Sequence, residues 1–197
     1  MQPERLRRYL TIAQRLESRI VRTMLRVPGH HPGVDECVDL LRTHATSYAS
    51  AGVSLSVETY EQVSTPDLVD VVTRADSPAV GICADPSNTI AILEQPGQVI
   101  DLIAPLVNNL HVKDFEFRRR VDSIGFELVG APLGTGLLPV TQMYERIDPL
   151  RRGISQVIEQ WLPWQGTPDA TLRAENDWNR AAVEFLKHLN VHEGNPA

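Results

Sequence analysis

Four residues of metal-ligand type stand at the ends of short, largely apolar runs: Glu58 in VSLSVE, Asp85 in AVGICAD, His111 in NLHVKD and Glu159 in ISQVIEQW. If these runs are parallel strands, their carboxyl ends share one face, and that face is where α/β proteins place their chemistry. Three carboxylates and an imidazole make a mixed oxygen–nitrogen donor set. It suits a divalent ion such as Mn2+, Mg2+ or Co2+ better than a structural zinc, which favours thiolates. Each residue alone has a plainer reading: a helix cap or surface charge for a carboxylate, a satisfied core residue for the histidine. Together they argue for a common partner, because polar groups gathered at strand ends are costly to bury without one.

Other residues could serve the same face. Lys113 alternates with His111 along its run, so both can point to one side. A lysine there can hold a carboxylate, a phosphate or an enediolate oxygen, or it can pair with a neighbouring acid. In Arg118-Arg119-Arg120, Arg118 is nearest the strand end and can clamp an anionic substrate; the alternative is a solvated basic loop. Arg22 can join the inward set, and Trp161 and Trp164 can wall a pocket. The cluster Gly130-Ala-Pro-Leu-Gly134-Thr-Gly136 could cradle a phosphate, but it follows a loop rather than a strand.

Positioning these residues requires an alternating chain. Apolar spacing predicts helices over Met1–Ser18, Asp35–Ala51, Thr65 to about Arg74, Gln98–Leu106, Pro139–Leu150 and Ala170–Leu189. Thr65 is the expected N-cap of the third, with Pro66 in its first turn. In the last, Leu172, Trp178, Ala182, Phe185 and Leu186 are expected to face inward. Strands are predicted over Arg19–Leu25, Val53–Glu58, Ala79–Asp85, Asn109–Asp114 and Ile154–Trp161. The stretch Phe115–Gly136 reads as a long polar, glycine-bearing loop, and 191–197 as a frayed tail. This order argues for a parallel sheet covered by helices. Alternation alone fits an open doubly wound sheet and a closed barrel equally, although no G-x-G-x-x-G follows any strand.

Composition narrows the class. At 197 residues, 42% hydrophobic and 22% charged, the chain has the makings of a single globular domain. A net charge of −6 disfavours a general nucleic-acid binder. No apolar run reaches the roughly 18 residues of a transmembrane helix, and MQPERLRRYL has no apolar stretch behind it as a secretory signal would. Cys37 and Cys83 are far apart, with no C-x-x-C, so a reduced, cytoplasmic protein is expected.

Taken in order, Val57-Glu58, GICADPSN, NLHVKDF, GAPLGTG and IEQWLP resemble the sugar phosphate isomerase/epimerase superfamily of xylose isomerase-like TIM barrels. The resemblance runs from about Leu16 to Leu189. Its most specific parts are His111–Phe115, the Asp-x-x-Asn at Asp85–Asn88, and Glu159 followed by Trp161 and Pro163. It implies an α/β chain forming a partial (β/α)8 TIM barrel over residues 1–190, with Glu58, Asp85, His111 and Glu159 as ligands of Mn2+ or Mg2+, Co2+ being a further candidate. Glu58 and Glu159 would double as acid and base on opposite faces of a small sugar or sugar-derived acid. An isomerase or epimerase working through a metal-stabilised enediolate follows.

Two departures bear on that reading. Asn88 stands where ketose epimerases of the superfamily carry a substrate-contacting histidine, and Ser64 where they place a further glutamate. Asn88, Lys113 and Arg118 are then the substrate-binding candidates. The Glu-x-Trp-x-Pro element and the long loop after His111 resemble a subgroup of 3-oxo-isoapionate decarboxylases, so a metal-dependent decarboxylase is the alternative. An inactive remnant is another: the runs align with strands three to seven of the eight in the family barrel, with an eighth either short or hidden in Pro163–Pro168 and the first two βα units missing. A misassigned start or truncation, a stable partial barrel, and a homodimer of mutually completing copies are the competing explanations.

Overall fold

The architecture is that of a computed structural model, which describes residues 1–193. Elements run α1 (Pro3–Arg15), β1 (Ile20–Thr23), α2 (Val34–Ser50), β2 (Ser54–Glu58), α3 (Thr65–Ala75), β3 (Val80–Ala84), α4 (Pro96–Ile103) and β4 (Val107–Val112). They continue through β5 (Asp114–Arg119), β6 (Phe126–Ala131), α5 (Val140–Ile147), β7 (Ser155–Ile158) and α6 (Pro168–Glu193). The five-stranded sheet has the order β1-β2-β3-β4-β7, with β1 through β4 paired in parallel. This is the α/β pattern of a partial (β/α)8 TIM barrel, in which sequential parallel strands lie side by side and helices cover them. No strand occurs in Pro163–Pro168, and β1 has a single sheet neighbour, among the described residues. Of the expected frayed tail, α6 takes in 191–193, and 194–197 lie outside the described residues.

Two compact units divide the chain, Met1–Leu110 and His111 onward. In the first, β3 (VGICA) is buried at every position, so it reads as a continuous apolar run rather than an alternating one. Leu55 and Val57 of β2 are fully buried, and Ser56 and Glu58 on its other face are buried too. Helix α2 buries Val38, Leu41, Ala45 and Tyr48, the stripe its spacing predicts. Tyr48 also donates a hydrogen bond to the Leu6 carbonyl at 2.9 Å, tying α2 to α1.

Helix α3 differs in its cap. Ser64, not Thr65, is the N-cap residue, its hydroxyl accepting from the Asp67 N–H at 3.3 Å. Thr65 is turned to Glu94, whose carboxylate accepts from its N–H at 2.9 Å and from its hydroxyl.

In the second unit the stretch expected as a loop forms an antiparallel hairpin. Strands β5 and β6 pair from Asp114↔Ala131 to Arg119↔Phe126. Phe115 and Phe117 meet edge-on, with ring centres 6.2 Å apart, and Arg119 stacks over Phe126 at 5.6 Å. Helix α6 buries Ala182 and Leu186 as expected, but Leu172 is exposed, because its first turns lie before the buried stretch.

Candidate active site

In the first unit, two ligand-type residues close neighbouring strands. Glu58 ends β2 opposite Cys83 of β3, and Asp85 follows β3 directly. Both are buried, Glu58 at 7% and Asp85 at 1% exposure. The guanidinium of Arg22, on β1, pairs with the Glu58 carboxylate while its own side chain stays 46% exposed. An ionised carboxylate at this depth needs such a cation.

Thr59 joins the loops that follow β2 and β3. Its hydroxyl accepts from the Asp85 N–H at 2.7 Å, its N–H donates to the Cys83 carbonyl at 3.1 Å, and its own carbonyl accepts from Asn88 Nδ2 at 3.2 Å. Asn88, buried, thus holds the Asp85–Asn88 turn in place. Sequence reasoning did not single out Thr59; the available signal was a hydroxyl residue directly after a strand-ending glutamate.

In the second unit, His111, Lys113 and Glu159 come together. His111 Nδ1 lies 2.9 Å from one Glu159 oxygen, and Lys113 Nζ lies 2.8 Å from the other. The Glu159 N–H donates to the Val112 carbonyl at 3.1 Å, which seats it beside β4. Hydrogen bonding from His111 first, then from Lys113, overrides the burial penalty and pushes the Glu159 carboxyl down to about 2. Lys113 is almost fully buried, and its ammonium sits 4.0 Å from the centre of the Trp161 ring. The neighbouring acid and an aromatic face therefore both hold this cation.

Asp114, beside Lys113, is a residue that spacing does not single out. It is 3% exposed, and its carboxylate accepts four backbone N–H groups: Phe115 at 2.8 Å and Leu138 at 2.9 Å on one oxygen, Gly134 at 3.0 Å and Gly136 at 2.8 Å on the other. The glycine cluster is thus a cradle filled by the chain's own carboxylate. Gly134 has φ +84°, and a Cβ on Gly136 would stand 2.3 Å from Asp114 Oδ1. Arg118 is on β5, exposed, and paired with Glu116 at 2.9 Å. Trp164 is also exposed.

Residues 3–189 match the family model of the xylose isomerase-like TIM barrel, and the chain belongs to that family, an enzyme family. It is 45% identical over 189 residues to a 3-oxo-isoapionate decarboxylase of Pectobacterium atrosepticum, spanning 96% of this chain and 69% of that protein. Among solved structures it resembles a xylose isomerase domain protein from Planctomyces limnophilus, with a TM-score of 0.71 at 20% identity over 95% of this chain and 65% of that one. It also resembles a xylose isomerase-like TIM barrel protein from Mycobacterium smegmatis in complex with magnesium, with a TM-score of 0.67 at 17% identity over 92% and 67% of the two chains. The chain thus spans about two thirds of the length of these relatives.

Proposed function

We propose that the chain carries the centre of a metal-dependent decarboxylase acting on a small 3-oxo sugar acid. The observation that carries this reading is the 45% identity to a 3-oxo-isoapionate decarboxylase along 96% of the chain. Glu58, Asp85, His111 and Glu159 are the proposed ligands of one divalent ion, Mn2+ or Mg2+. Support comes from the strand order β2-β3-β4-β7, since each of the four ends or directly follows one of these strands except His111, one residue short of its strand's end. Three carboxylates and an imidazole, largely buried, also form a donor set that fits such a cation.

A divalent ion bound there would polarise the carbonyl and neutralise the charge of an enediolate. The chain's residues do the rest. Lys113 holds the substrate carboxylate next to the carbonyl-bearing carbon, with Asn88 and Arg118 as further substrate contacts. The bond from C2 to the carboxyl carbon breaks, CO2 leaves, and the electron pair moves onto the C3 carbonyl oxygen. A proton then returns to C2, with Glu58 and Glu159 as the proton-transfer pair. What favours this over epimerisation is the same identity to a decarboxylase, since the enediolate and the donor set are common to both reactions.

Isomerisation or epimerisation of a small sugar or sugar acid is the second reading. It shares the enediolate and the donor set, and Glu58, paired with Arg22, is its base. We place either reaction in a cytoplasmic protein, with a homodimer as the proposed assembly because β1 has one sheet neighbour among the described residues. The test is to give the folded chain Mn2+ and a 3-oxo sugar acid in D2O. Stoichiometric CO2 release supports decarboxylation. Deuterium in recovered substrate without CO2 would replace it with the isomerase reading. Neither product would leave a non-catalytic remnant.

A further inference from the structure

We propose that Asp114 is a positioning residue for Lys113, and that the glycine loop exists to hold it. The inference rests on the reading of Lys113 as the substrate-carboxylate contact. Asp114 follows Lys113 directly, so whatever fixes its side chain and the next peptide also fixes the lysine's backbone. That fixation is extensive. Both carboxylate oxygens accept two backbone N–H groups each, one from Phe115 and three from Gly134, Gly136 and Leu138. A carboxylate with this many amide donors is held in one orientation. The Phe115 carbonyl also accepts from the Leu137 N–H at 2.8 Å, closing the loop against the same peptide.

The frame extends to the aromatic that Lys113 rests on. The stretch running into the cradle begins at Gly130, whose N–H donates to the Trp161 carbonyl at 3.1 Å. The backbones of Lys113 and Trp161 are therefore tied to one continuous segment, 130–138. The ammonium's placement, 4.0 Å from the Trp161 ring centre and 2.8 Å from Glu159, follows from that shared frame. Three glycines serve it. A Cβ at Gly130 would stand 2.4 Å from the Trp161 carbonyl oxygen, one at Gly134 2.4 Å from the Phe185 ring, and one at Gly136 2.3 Å from the Asp114 carboxylate.

The chain makes this directly measurable, because it has only two lysines, Lys113 and Lys187. Lys187 is 65% exposed and serves as an internal reference. In chain labelled with 13C/15N lysine, the Lys113 side-chain protons should be shifted upfield of Lys187 by the Trp161 ring current, and Trp161→Leu should abolish that shift. Asp114→Asn keeps one acceptor oxygen but turns an NH2 toward amide donors. In folded Asp114→Asn the upfield displacement should fall by at least half. A folded variant, with native amide dispersion, that keeps the full displacement would overturn the proposal, because it would make Asp114 a fold anchor only.

Gly136→Ala is the second variant. It retains the charge but forces the carboxylate out of the cradle, and the same loss is expected. Should neither variant fold, the wild-type chain decides: the Gly134, Gly136 and Leu138 amides must exchange at least a hundredfold more slowly than exposed turn amides, and the Lys113 displacement must be present. Absence of either overturns the proposal. The readout uses neither substrate nor metal, so its failure is distinct from a failure to release CO2.

Discussion

The Lys113 ammonium lies over the face of Trp161, 4.0 Å from the ring centre, while its other side meets Glu159 at 2.8 Å. A buried cation held between a carboxylate and an indole gains from both, and a desolvated cation–π contact contributes about 2 kcal/mol. Trp161→Leu should lower stability to urea by about 2 kcal/mol, whereas Trp164→Leu, at an exposed position, should change it by less than about 0.5 kcal/mol. Equal effects at the two positions would show that the contact contributes nothing specific.

Glu159 predicts an acid transition. Its carboxyl is held at about 2 in the folded chain, below its ordinary 4.5, chiefly by His111 and then Lys113. A depressed folded value stabilises above the unfolded value and is lost as pH falls toward the folded one. Between pH 4.5 and 2 the wild-type chain should therefore lose more thermal stability than Glu159→Gln. Parallel melting-temperature profiles over that interval would refute the pairing.

Tyr48 predicts the opposite limb. Burial pushes its hydroxyl up to about 12, so its contribution is complete below the ordinary value of 10 and is lost as pH rises through 12. Tyr48→Phe, which also removes the bond to the Leu6 carbonyl, should cost about 1 kcal/mol at neutral pH. Its melting temperature should then fall less steeply than wild type above pH 10.

Gly81 predicts a packing conflict with a defined partner. A Cβ there would stand 2.5 Å from the Asn108 side chain, and overpacking of this kind costs about 1–3 kcal/mol. Asn108→Ala in the same chain should restore part of that loss. Simple additivity of the two substitutions in urea titrations would argue against the contact.

Asp85, 1% exposed and directly after β3, carries a prediction about the proposed metal. Asp85→Asn should weaken Mn2+ binding, followed by calorimetry, by at least tenfold. Unchanged affinity would remove Asp85 from the ligand set.

Much of this was legible because it depends on period and punctuation. Val38, Leu41, Ala45 and Tyr48 mark α2 by spacing alone, and all four are buried. β3 reads as a buried parallel strand because its run is apolar throughout. The hairpin was hidden because two arginines and a glycine mask the alternation of DFEFRR and FELVGA, whose pairing is non-local. Thr65 and Ser64 are equivalent capping chemistries one residue apart, and only the position of Glu94 separates them. Leu172 has the right period but lies ahead of the buried part of its helix. Among candidate site residues, His111, Lys113 and Glu159 meet in the second unit as their positions after β-runs suggest. Asp114 could not be found this way, because its partners are backbone amides about twenty residues later.

The filled cradle also constrains how this loop can change over time. A side chain at 136 collides with the carboxylate at 114, and loss of that carboxylate leaves three loop amides without their acceptor. Neither position can drift alone without loss of fitness. Positions 114, 134 and 136 should therefore covary among descendants of a common ancestor, moving together or staying put, while their neighbour Thr135, exposed at the loop surface, varies independently.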